Sequence, residues 1–430
     1  MALDNEELNK RRIQMEKLRQ QRLAQQRKLM IGLICAGVVL VLCGILIFTV
    51  TRDSSQEEKP AETNPQTTQT SQTADPTETA AAASRETVIH LAAAGDLNVT
   101  DKTVAAGMVN GYYDYTEVFM DVAPLLADAD LTMLNFEGNL CGEPYGGEDA
   151  SAPQEMMEAL RNAGVDLVQM ANSCAINNGL LGLAETLSAI RSAGMEPVGA
   201  FANSGEFQKT GGYTIREVEG IKIAFVAFTK GMDNRGLPAG SEDCVNLLYT
   251  DYASTYQSVD KEGITKILRA AAQEEPDLTV AMLHWGSEFN DQISSSQETI
   301  RDLMIAEGVD VILGTHPHYV QEMMLDQENN TFVAYSLGDF FGNAERAGSN
   351  YSVILNLEIT KNLDTGVTKI TDYSYHPIFT QTGESGMQVV RIADAVAAYE
   401  ADYIQRISQT DYDSMIYALS RIEDRVHPDE

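Results

Sequence analysis

From residue 86 onward, short apolar runs alternate with stretches in which apolar residues recur at helical spacing. A continuous apolar run is typical of a strand that is covered on both faces, and strands of this kind alternate with helices in α/β domains. The pattern therefore predicts an α/β fold. The apolar runs are residues 88–94, 131–135, 165–170, 221–228, 278–283, 309–313 and 331–336. The helical stretches between them are residues 152–163, 180–193, 263–273 and 295–307.

The pattern changes after residue 348. Residues 351–358 and 367–376 alternate polar and apolar side chains, which is typical of antiparallel or edge strands. From about residue 393 the spacing is helical, with Ala, Ile, Leu and Tyr on one face. We therefore expect mixed sheets in layers over residues 87–386, followed by a C-terminal helical segment, 387–430.

Residues 29–50 contain no charged side chain and are rich in Ile, Leu, Val and Gly. A helix of this length crosses roughly 30 Å of hydrocarbon. Because the basic flank precedes it, the positive-inside rule places residues 1–28 in the cytoplasm as a basic helical tail. The prediction is a single-pass plasma-membrane signal anchor with an extracytoplasmic C-terminal domain. The alternative is a cleaved signal peptide, whose apolar core is shorter, about 7–15 residues.

Residues 51–86 consist mainly of Thr, Ser, Gln, Glu, Ala and Pro and contain no aromatic residue. Such a segment cannot bury enough apolar surface to fold by itself. It predicts a flexible linker between the anchor and the domain.

The formal charge of −33 is unevenly distributed. Residues 1–50 hold eight Lys/Arg and four acids, and the remainder holds 22 basic and 59 acidic residues. An acidic body argues against nucleic acid as a partner, because phosphate binding requires clustered Lys and Arg. Three cysteines, Cys141, Cys174 and Cys244, follow the anchor, and their odd number indicates no complete disulfide framework.

Polar side chains follow six of the predicted strands, where each apolar run ends. Ligands of α/β sheets bind at the carboxyl ends of the strands. Carboxylate oxygens and imidazole nitrogens together suit Mn, Fe or Zn. The sequence therefore predicts a divalent metal site at these ends. The residues that follow the runs are Asp96, Glu137, Asn172, Ser173, Cys174, His284, His316, His318 and Asp339.

Each of these residues also has a simpler explanation. His284, beside the single Trp, is compatible with a buried histidine bonded to the backbone. Asp96 and Glu137 are also compatible with helix or turn caps. The spacing Gly-x-His-Pro-His favours a site more strongly, because it allows the rings of His316 and His318 to face one cavity.

These motifs, in this order, resemble the capsule-synthesis CapA family, also called the poly-γ-glutamate synthesis protein family, over roughly residues 88–380. The fold of that family is similar to that of calcineurin-like metallophosphoesterases. The resemblance therefore implies a metallophosphatase-like layered α/β sandwich. The motifs are Gly95-Asp96, Asn135-Phe-Glu137, Gly182-Leu-Ala-Glu-Thr-Leu, Ala193-Gly-Met-Glu-Pro-Val-Gly-Ala, His284-Trp-Gly-Ser-Glu-Phe, Gly314-Thr-His-Pro-His and Tyr335-Ser-Leu-Gly-Asp-Phe.

The resemblance also implies functional roles. The family acts in membrane-tethered assembly or release of an anionic surface polymer. The implied partners are this polymer or its precursor, the membrane and a membrane export complex. The implied metal ligands are Asp96, Glu137, Ser173, His284, His316 and His318, and the implied catalytic residues are Cys174, His318 and Asp339.

Three positions depart from the family pattern, which reads Ala-Asn-Asn-His and Leu-Gly-Asn-Phe. Ser173 replaces an asparagine that would bind metal, Cys174 replaces a histidine that would protonate a leaving group, and Asp339 replaces the motif's asparagine. A thiol with a pKa near ~8.5 is mostly protonated at neutral pH, so Cys174 is alternatively a small residue that fills a lost site.

Three hypotheses for the function remain open at this stage. The first is a CapA-like protein of polymer synthesis, export or attachment with a metal-dependent hydrolase or transferase cleft. The second is a degenerate, non-enzymatic polymer-binding or scaffold protein. The third and weakest is a calcineurin-like phosphodiesterase, because Asp96-Leu-Asn98 stands where Asp-x-His is expected.

Overall fold

Two mixed β-sheets covered by helices form the part of the chain that the structure, a computed structural model, describes: residues 85–343, 346–383, 386–401 and 407–427. These residues belong to one unit that spans residues 81–430. The predicted tail (1–28), the predicted anchor (29–50) and all but the last two residues of the predicted linker (51–86) lie outside the described residues. Among the helices within the described ranges, none combines the length and the apolar composition of a membrane span.

The described residues contain sixteen strands and ten α-helices. The strands are β1 (Glu86–Asn98), β2 (Met108–Val109), β3 (Tyr112–Tyr113), β4 (Leu131–Glu137), β5 (Leu167–Gln169), β6 (Glu196–Val198), β7 (Thr214–Val218), β8 (Ile221–Thr229), β9 (Leu278–His284), β10 (Val311–Thr315), β11 (Met323–Asp326), β12 (Thr331–Ala334), β13 (Asp339–Phe341), β14 (Tyr351–Asn362), β15 (Thr368–Gly383) and β16 (Gly386–Arg391). The helices are α1 (Asp101–Ala106), α2 (Thr116–Phe119), α3 (Ala123–Ala127), α4 (Gln154–Ala163), α5 (Gly179–Ser192), α6 (Ser204–Thr210), α7 (Lys261–Ala272), α8 (Ser295–Ala306), α9 (Ile392–Glu400) and α10 (Gln409–Val426).

The first sheet has the strand order β16-β15-β14-β1-β4-β5-β6, and β13 pairs with the end of β1. β1, β4, β5 and β6 are parallel, whereas β14, β15 and β16 are antiparallel. The polar and apolar alternation of β14 and β15 therefore predicted their pairing. The parallel pairing of β13 places Asp339 beside Asp96.

The second sheet has the order β11-β12-β10-β9-β8-β7. Its four central strands are parallel, and β7 and β11 are antiparallel strands at the two edges. The parallel strands β8, β9 and β10 are the continuous apolar runs of the sequence, because both of their faces are covered.

The larger of two buried clusters combines side chains from both sheets, such as Met133 and Leu357 of the first and Phe225 and Val280 of the second. A second cluster packs helices α7 and α8 against the other face of the second sheet. All seven residues of β4 and all seven of β9 are buried, so both faces of each sheet are covered at their centres. The prediction of an α/β fold with mixed sheets is confirmed.

The segment for which we expected helices, 387–430, begins with a strand. β16 pairs with β15 at the edge of the first sheet, and the helices α9 and α10 follow it. Helix α10 buries Met415, Ala418, Ile422 and Val426, an apolar stripe at helical spacing. The alternation of β16 is too short to distinguish it from the start of α9.

Candidate functional site

The candidate site lies where strand ends of the two sheets meet. β1 and β4 carry Asp96 and Glu137, whereas the end of β9 and the turn after β10 carry His284 and His316. All four side chains are buried. The backbone N–H of His316 donates to Oδ2 of Asp96 at 2.9 Å, so a hydrogen bond joins the two sheets at the site.

Two glycines allow the strands to approach each other here. A Cβ atom on Gly95 would lie 1.8 Å from the carbonyl oxygen of Gly338, and one on Gly314 would lie 1.8 Å from that of Tyr335. Neither distance accommodates a side chain, so the backbone requires glycine at both positions. The glycines of the Gly-Asp and Gly-Thr-His motifs therefore set the spacing of the cleft.

Asp96 is fully buried and uses both carboxylate oxygens. Oδ1 accepts a hydrogen bond from Nδ2 of Asn135 at 2.6 Å, and Oδ2 accepts the bond from the backbone of His316. Burial raises the pKa of Asp96 to about 6, against the attraction of His318, which lowers it. A positive charge in the cleft would therefore stabilise the ionised form of Asp96, which burial disfavours.

Glu137 lies on the same side of the cleft. Its Oε1 accepts from Asn135 at 3.2 Å, and its Oε2 accepts from the hydroxyl of Ser173, also at 3.2 Å. Burial, together with the nearby charge of Asp96, raises the pKa of Glu137 well above its ordinary value. Two buried carboxylates thus lie close together, an arrangement that a cation stabilises.

His284 and His316 present ring nitrogens without protein partners. Nδ1 of His284 lies 3.2 Å from the Thr315 hydroxyl, but its Nε2 has no hydrogen-bond partner among the described residues, and neither ring nitrogen of His316 has one. Burial lowers the pKa of both rings well below the ordinary value, so both are neutral. Buried nitrogens without partners are rare, and neutral imidazoles are good metal ligands.

His318 differs from the other two histidines because it forms a short contact with a carboxylate. Its Nδ1 lies 2.7 Å from Oδ1 of Asp339 and 3.6 Å from Oδ2 of Asp96. Burial lowers the pKa of His318, but the carboxylates of Asp339, Glu137 and Asp96 together raise it well above its usual value. The ring therefore carries a proton at neutral pH when these acids are its only partners.

The turn that carries the two histidines has an unusual backbone. His316 and His318 have φ values of 90° and 59°, in a region that residues with side chains rarely adopt. Backbone strain of this kind persists where the surroundings hold it, and it is concentrated at functional sites. The ring of His316 in this turn lies beside the ring of His284 at the end of β9, with centroids 4.5 Å apart.

The donor atoms of the cleft form three overlapping groups in which all atoms lie within 4.8 Å of one another. The oxygen and nitrogen donors, together with the unpartnered ring nitrogens, fit a divalent metal such as Mn, Fe or Zn. Asp96 and His318 each belong to two groups, so the groups share one cleft. The groups are Asp96, Glu137 and His284; Asp96, His318 and Asp339; and Glu288, His316 and His318.

The turn after β5 contains Ser173 and Cys174, which depart from the family pattern, and Asn172, which precedes them. Asn172 is buried and donates to the side chain of Asn135 at 3.0 Å. The hydroxyl of Ser173 bonds to Glu137, and the half-buried Cys174 has its Sγ 3.8 Å from that hydroxyl. Burial, reinforced by the charge of Glu137, raises the pKa of the Cys174 thiol, so a thiolate is disfavoured.

Two cavities open on either side of the His316–His318 turn. One, of about 230 Å³, is lined by Ser173 and His316. The other, of about 270 Å³, is lined by Cys174, His318 and Asp339. The structure thus brings every predicted site residue to one cleft.

Sequence reasoning missed five residues that contribute to the cleft. Asn135, Glu288 and Phe289 lie within two of the motifs that carry the family resemblance, and this position was the available clue to all three. Lys230 and Arg346, each of which lines one cavity, gave no local clue, because only the tertiary fold brings them to the site. The five are Asn135, Lys230, Glu288, Phe289 and Arg346.

The chain is similar in sequence to capsule biosynthesis proteins. It is 30% identical over 244 residues to the capsule biosynthesis protein CapA of Bacillus anthracis, a match that covers 54% of this chain and 55% of that protein. It is 24% identical over 264 residues to the PGA biosynthesis protein CapA of Bacillus subtilis (strain 168), covering 60% of this chain and 65% of that protein. The matches thus span less than two thirds of either relative.

Two solved structures resemble the chain at low sequence identity. A phosphatase of Mycoplasma pneumoniae gives a TM-score of 0.43 at 15% identity and covers 69% of this chain and 95% of its own. The calcineurin-like phosphoesterase YfkN of Bacillus subtilis gives a TM-score of 0.41 at 15% identity and covers 79% of this chain and 98% of its own.

A family model described as bacterial capsule synthesis protein PGA_cap matches residues 90–344. This range is more than half of the chain and contains Asp96, Glu137, His284, His316 and Asp339. The resemblance to the CapA family is confirmed. The chain belongs to the bacterial capsule synthesis protein PGA_cap family.

Proposed function

We propose that the chain acts in the synthesis, export or attachment of an anionic capsule polymer such as poly-γ-glutamate, through a metal-dependent hydrolase or transferase cleft. The observation that carries this proposal is the set of unpartnered ring nitrogens of His284 and His316, whose rings lie 4.5 Å apart, together with the buried carboxylates of Asp96 and Glu137 that share a donor group with His284. Family membership supports the role in capsule synthesis.

In this proposal Asp96, Glu137, His284 and His316 hold the metal. A divalent metal bound there supplies Lewis-acid polarisation of a carbonyl or phosphoryl oxygen, or a more acidic bound water. Asn135 orients both carboxylates through its side-chain amide, which donates to each of them. Such outer partners of ligands typically change metal affinity about 10–100-fold when they are removed.

His318 is the residue best suited to move a proton. Asp339 holds its Nδ1 at 2.7 Å, and the surrounding carboxylates raise its pKa, so the ring is charged and oriented. Its Nε2–H is then the proton that a departing oxygen or nitrogen of the substrate would accept. The Cys174 thiol holds its proton too tightly for this task, because its pKa is raised by burial.

The location and partners of the protein are part of the same proposal. Residues 29–50 anchor the chain in the plasma membrane, with residues 1–28 in the cytoplasm and the C-terminal domain outside. The domain there meets the polymer or its precursor and a membrane export complex. The charge pattern around residues 29–50 supports this orientation.

A second candidate is a non-enzymatic member that binds or guides the polymer. Ser173 favours it, because its hydroxyl occupies one oxygen of Glu137 where the family pattern places a metal-binding amide. The two candidates differ in whether the cleft holds metal.

Elemental analysis of the purified full-length chain tests the proposal, with an Asp96→Asn/His316→Ala double variant as the control. We expect nearly stoichiometric Mn, Fe or Zn in the wild-type protein and none in the double variant. Metal-free protein, even after incubation with each ion, would refute the metal-dependent cleft and favour the scaffold.

Hydrolysis or transfer activity is then measured on γ-linked glutamate oligomers with the metal-loaded protein. Although His318 belongs to two of the donor groups, its ring is protonated and its Nδ1 is bonded to Asp339, so His318→Gln should retain metal on the four proposed ligands but lose activity. Full activity in His318→Gln would assign proton transfer to another group.

A further inference from the structure

The cavity beside His318 carries an exposed cation in a strongly acidic protein. Arg346 is the only Lys or Arg among the described residues that line this cavity, and the other charged groups there are His318 with its partner Asp339, and Glu137. Within the described part of the chain, no carboxylate forms an ion pair with its guanidinium. Neutral hydrogen-bonding side chains of Asn98, Asn343 and Ser349 line the same cavity. An anion that enters here is therefore attracted by the guanidinium of Arg346 and can bond to these neutral groups, against the repulsion of Glu137 and Asp339.

The guanidinium of Arg346 is oriented by an aromatic ring. Its central carbon lies 3.9 Å from the centroid of the Phe289 ring. A stacked arginine keeps its five N–H donors free at the edge of the plane, and these donors match a carboxylate or phosphate in fork geometry. The stack therefore prepares Arg346 for an anionic group.

The same ring connects Arg346 to the proposed proton donor. The ring of Phe289 stacks on that of His318, with centroids 4.9 Å apart and planes inclined by 28°. An anionic group held by Arg346 would thus lie in the same cavity as the ring of His318.

Phe289 belongs to a loop, residues 286–293, which we call the rim loop. Phe289 has a φ of 52°, a strained value that requires external support. Its backbone N–H donates to the carbonyl oxygen of Pro317 at 2.9 Å, and Gln321 donates to the carbonyl oxygens of Asn290 and Gln292. The rim loop is therefore tied to the turn that carries the histidines.

The C-terminal helix supplies a further support from outside the family-matched residues. Nη2 of Arg425, in the last turn of α10, donates to Asp291 of the rim loop at 3.1 Å. The Arg425 side chain is 10% exposed and lies over the ring of Tyr319, 5.1 Å from its centroid. Because separating the pair would leave the buried Arg425 charge without its carboxylate, this contact restrains the position of Asp291.

We propose that the cavity beside His318 is a recognition subsite for one anionic group of the polymer, a carboxylate or a phosphate, which Arg346 binds from its stacked position on Phe289. Arg425 is a positioning residue that holds the rim loop through Asp291. This inference rests on the proposed function for the polymer, but not for the metal. The subsite would also allow an acidic protein to bind a polyanion, because the oriented guanidinium attracts one anionic group of a polymer that the rest of the surface repels.

Binding of two labelled oligomers to the full-length chain tests the subsite, measured by fluorescence anisotropy at low salt with and without Mn²⁺. One oligomer is γ-linked glutamate, which carries carboxylates, and the other is glycerol phosphate, which carries phosphodiesters. We expect saturable binding of one of them and at least about 10-fold weaker binding in Arg346→Ala, the scale of one charged hydrogen bond. Arg346→Lys should recover part of the loss.

Arg235→Ala is the matched control, because Arg235 is a surface arginine that pairs with Asp233 and does not line this cavity. It should bind like the wild type. Equal weakening in Arg235→Ala and Arg346→Ala would show only general electrostatics and overturn the subsite. Wild-type protein that binds neither oligomer would overturn it as well. If the protein contains no metal and still binds an oligomer in a way that depends on Arg346, the metal cleft is refuted but the subsite is supported.

Hydrogen exchange of the rim loop tests the positioning role. Arg425→Ala should speed exchange of the rim-loop amides and weaken oligomer binding several-fold, whereas Arg421→Ala, one turn earlier on α10 and more exposed, should change both less. Asp291→Asn removes the ion pair with Arg425, together with the longer one with Arg421, without altering the helix, so it covers the case in which Arg425→Ala unfolds. Unchanged exchange in Asp291→Asn, or faster exchange with wild-type binding, would overturn the role of Arg425.

Discussion

The two sheets contribute different chemistry to the cleft. The first sheet supplies carboxylates, Asp96 and Glu137, whose oxygens all accept hydrogen bonds within the protein. The second supplies imidazoles, and His284 and His316 have three ring nitrogens without a partner among the described residues. The carboxylate side is thus complete in hydrogen bonding but electrostatically unfavourable, whereas the imidazole side is neutral but lacks partners. A bound cation satisfies both sides at once.

The largest effect on the site is expected from the carboxylate side. Asp96 belongs to two of the three donor groups, so Asp96→Asn should weaken binding of Mn²⁺ on the order of 100-fold or more, beyond the range of outer partners. Isothermal titration calorimetry of metal-free protein measures this. The amide oxygen of the Asp96→Asn side chain can still accept the His316 backbone bond but not also that of Asn135, so circular dichroism should confirm that the variant is folded. Wild-type affinity in Asp96→Asn would exclude this carboxylate as a ligand.

A smaller loss is expected from the imidazole side. His316 belongs to one donor group, so His316→Ala should weaken Mn²⁺ binding less than Asp96→Asn does, by about 10–100-fold. His376→Ala is the control, because His376 is a half-buried histidine on β15 beside Arg391 and belongs to none of the three donor groups. The comparison of the two sheets fails if His316→Ala loses more affinity than Asp96→Asn.

Introducing the residues of the family pattern next to Glu137 should increase the contribution of the first sheet to metal affinity. In a Ser173→Asn/Cys174→His variant, an amide oxygen replaces a hydroxyl that now donates to Glu137. We expect metal affinity to rise by about 10-fold, the lower end of what groups next to a metal contribute. The same calorimetric titration measures it. No gain, with the fold intact by circular dichroism, would mean that this turn does not reach the metal.

Cysteine labelling gives a further check on this turn. Because burial raises the pKa of Cys174, iodoacetamide should modify it slowly at pH 8, with rates that rise as the pH increases further. Mass spectrometry of a Cys141→Ser/Cys244→Ser variant follows the reaction. Rapid labelling at pH 7 would indicate a thiolate and return a catalytic role to Cys174.

Substitution of Asp310, a buried carboxylate outside the site, should have the smallest effect on metal binding and should instead change the pH dependence of stability. Burial raises the pKa of Asp310 from 3.8 to about 6, although its bond to the backbone N–H of Thr279 lowers it. The folded state therefore holds this proton more tightly than the unfolded state, and the associated stability, at most about 3 kcal/mol, is present below pH 4 and lost as the pH rises through 6.

Asp310→Asn should reduce this loss, so the variant's urea midpoint should fall less between pH 4.5 and 7 than that of the wild type, both without metal. Its Mn²⁺ affinity should be unchanged, which separates carboxylate burial in general from the carboxylate side of the cleft. Parallel pH profiles for the two proteins would contradict the raised pKa.

Much of the fold could be predicted because its central strands are continuous apolar runs. β1, β4, β9 and β10, which position the site, were all visible in this way. The short strands β6, β11 and β13 were not, because each has only three or four residues and includes a charged one, so no continuous apolar run marks it. β13 matters most, since its pairing with β1 places Asp339 beside Asp96.

The site residues on strand ends could be predicted because ligands of α/β folds bind at the carboxyl ends of the strands. The contribution of the rim loop could not be predicted. Phe289 and Arg346 are distant from each other in sequence, and no local pattern marks a stack that forms only when two loops meet. The support from Arg425 was also hidden, because a basic residue near the end of a helix is ordinary and its partner Asp291 lies 134 residues away.

The hydrogen bond between Asp96 and His316 joins residues that are 220 positions apart. A chain that is still being made, or one that has lost its second half, has the carboxylates without the imidazoles. Under the proposed function, the ligand set is complete only when both halves of the domain have folded against each other, so a bound metal ion would report that this contact has formed.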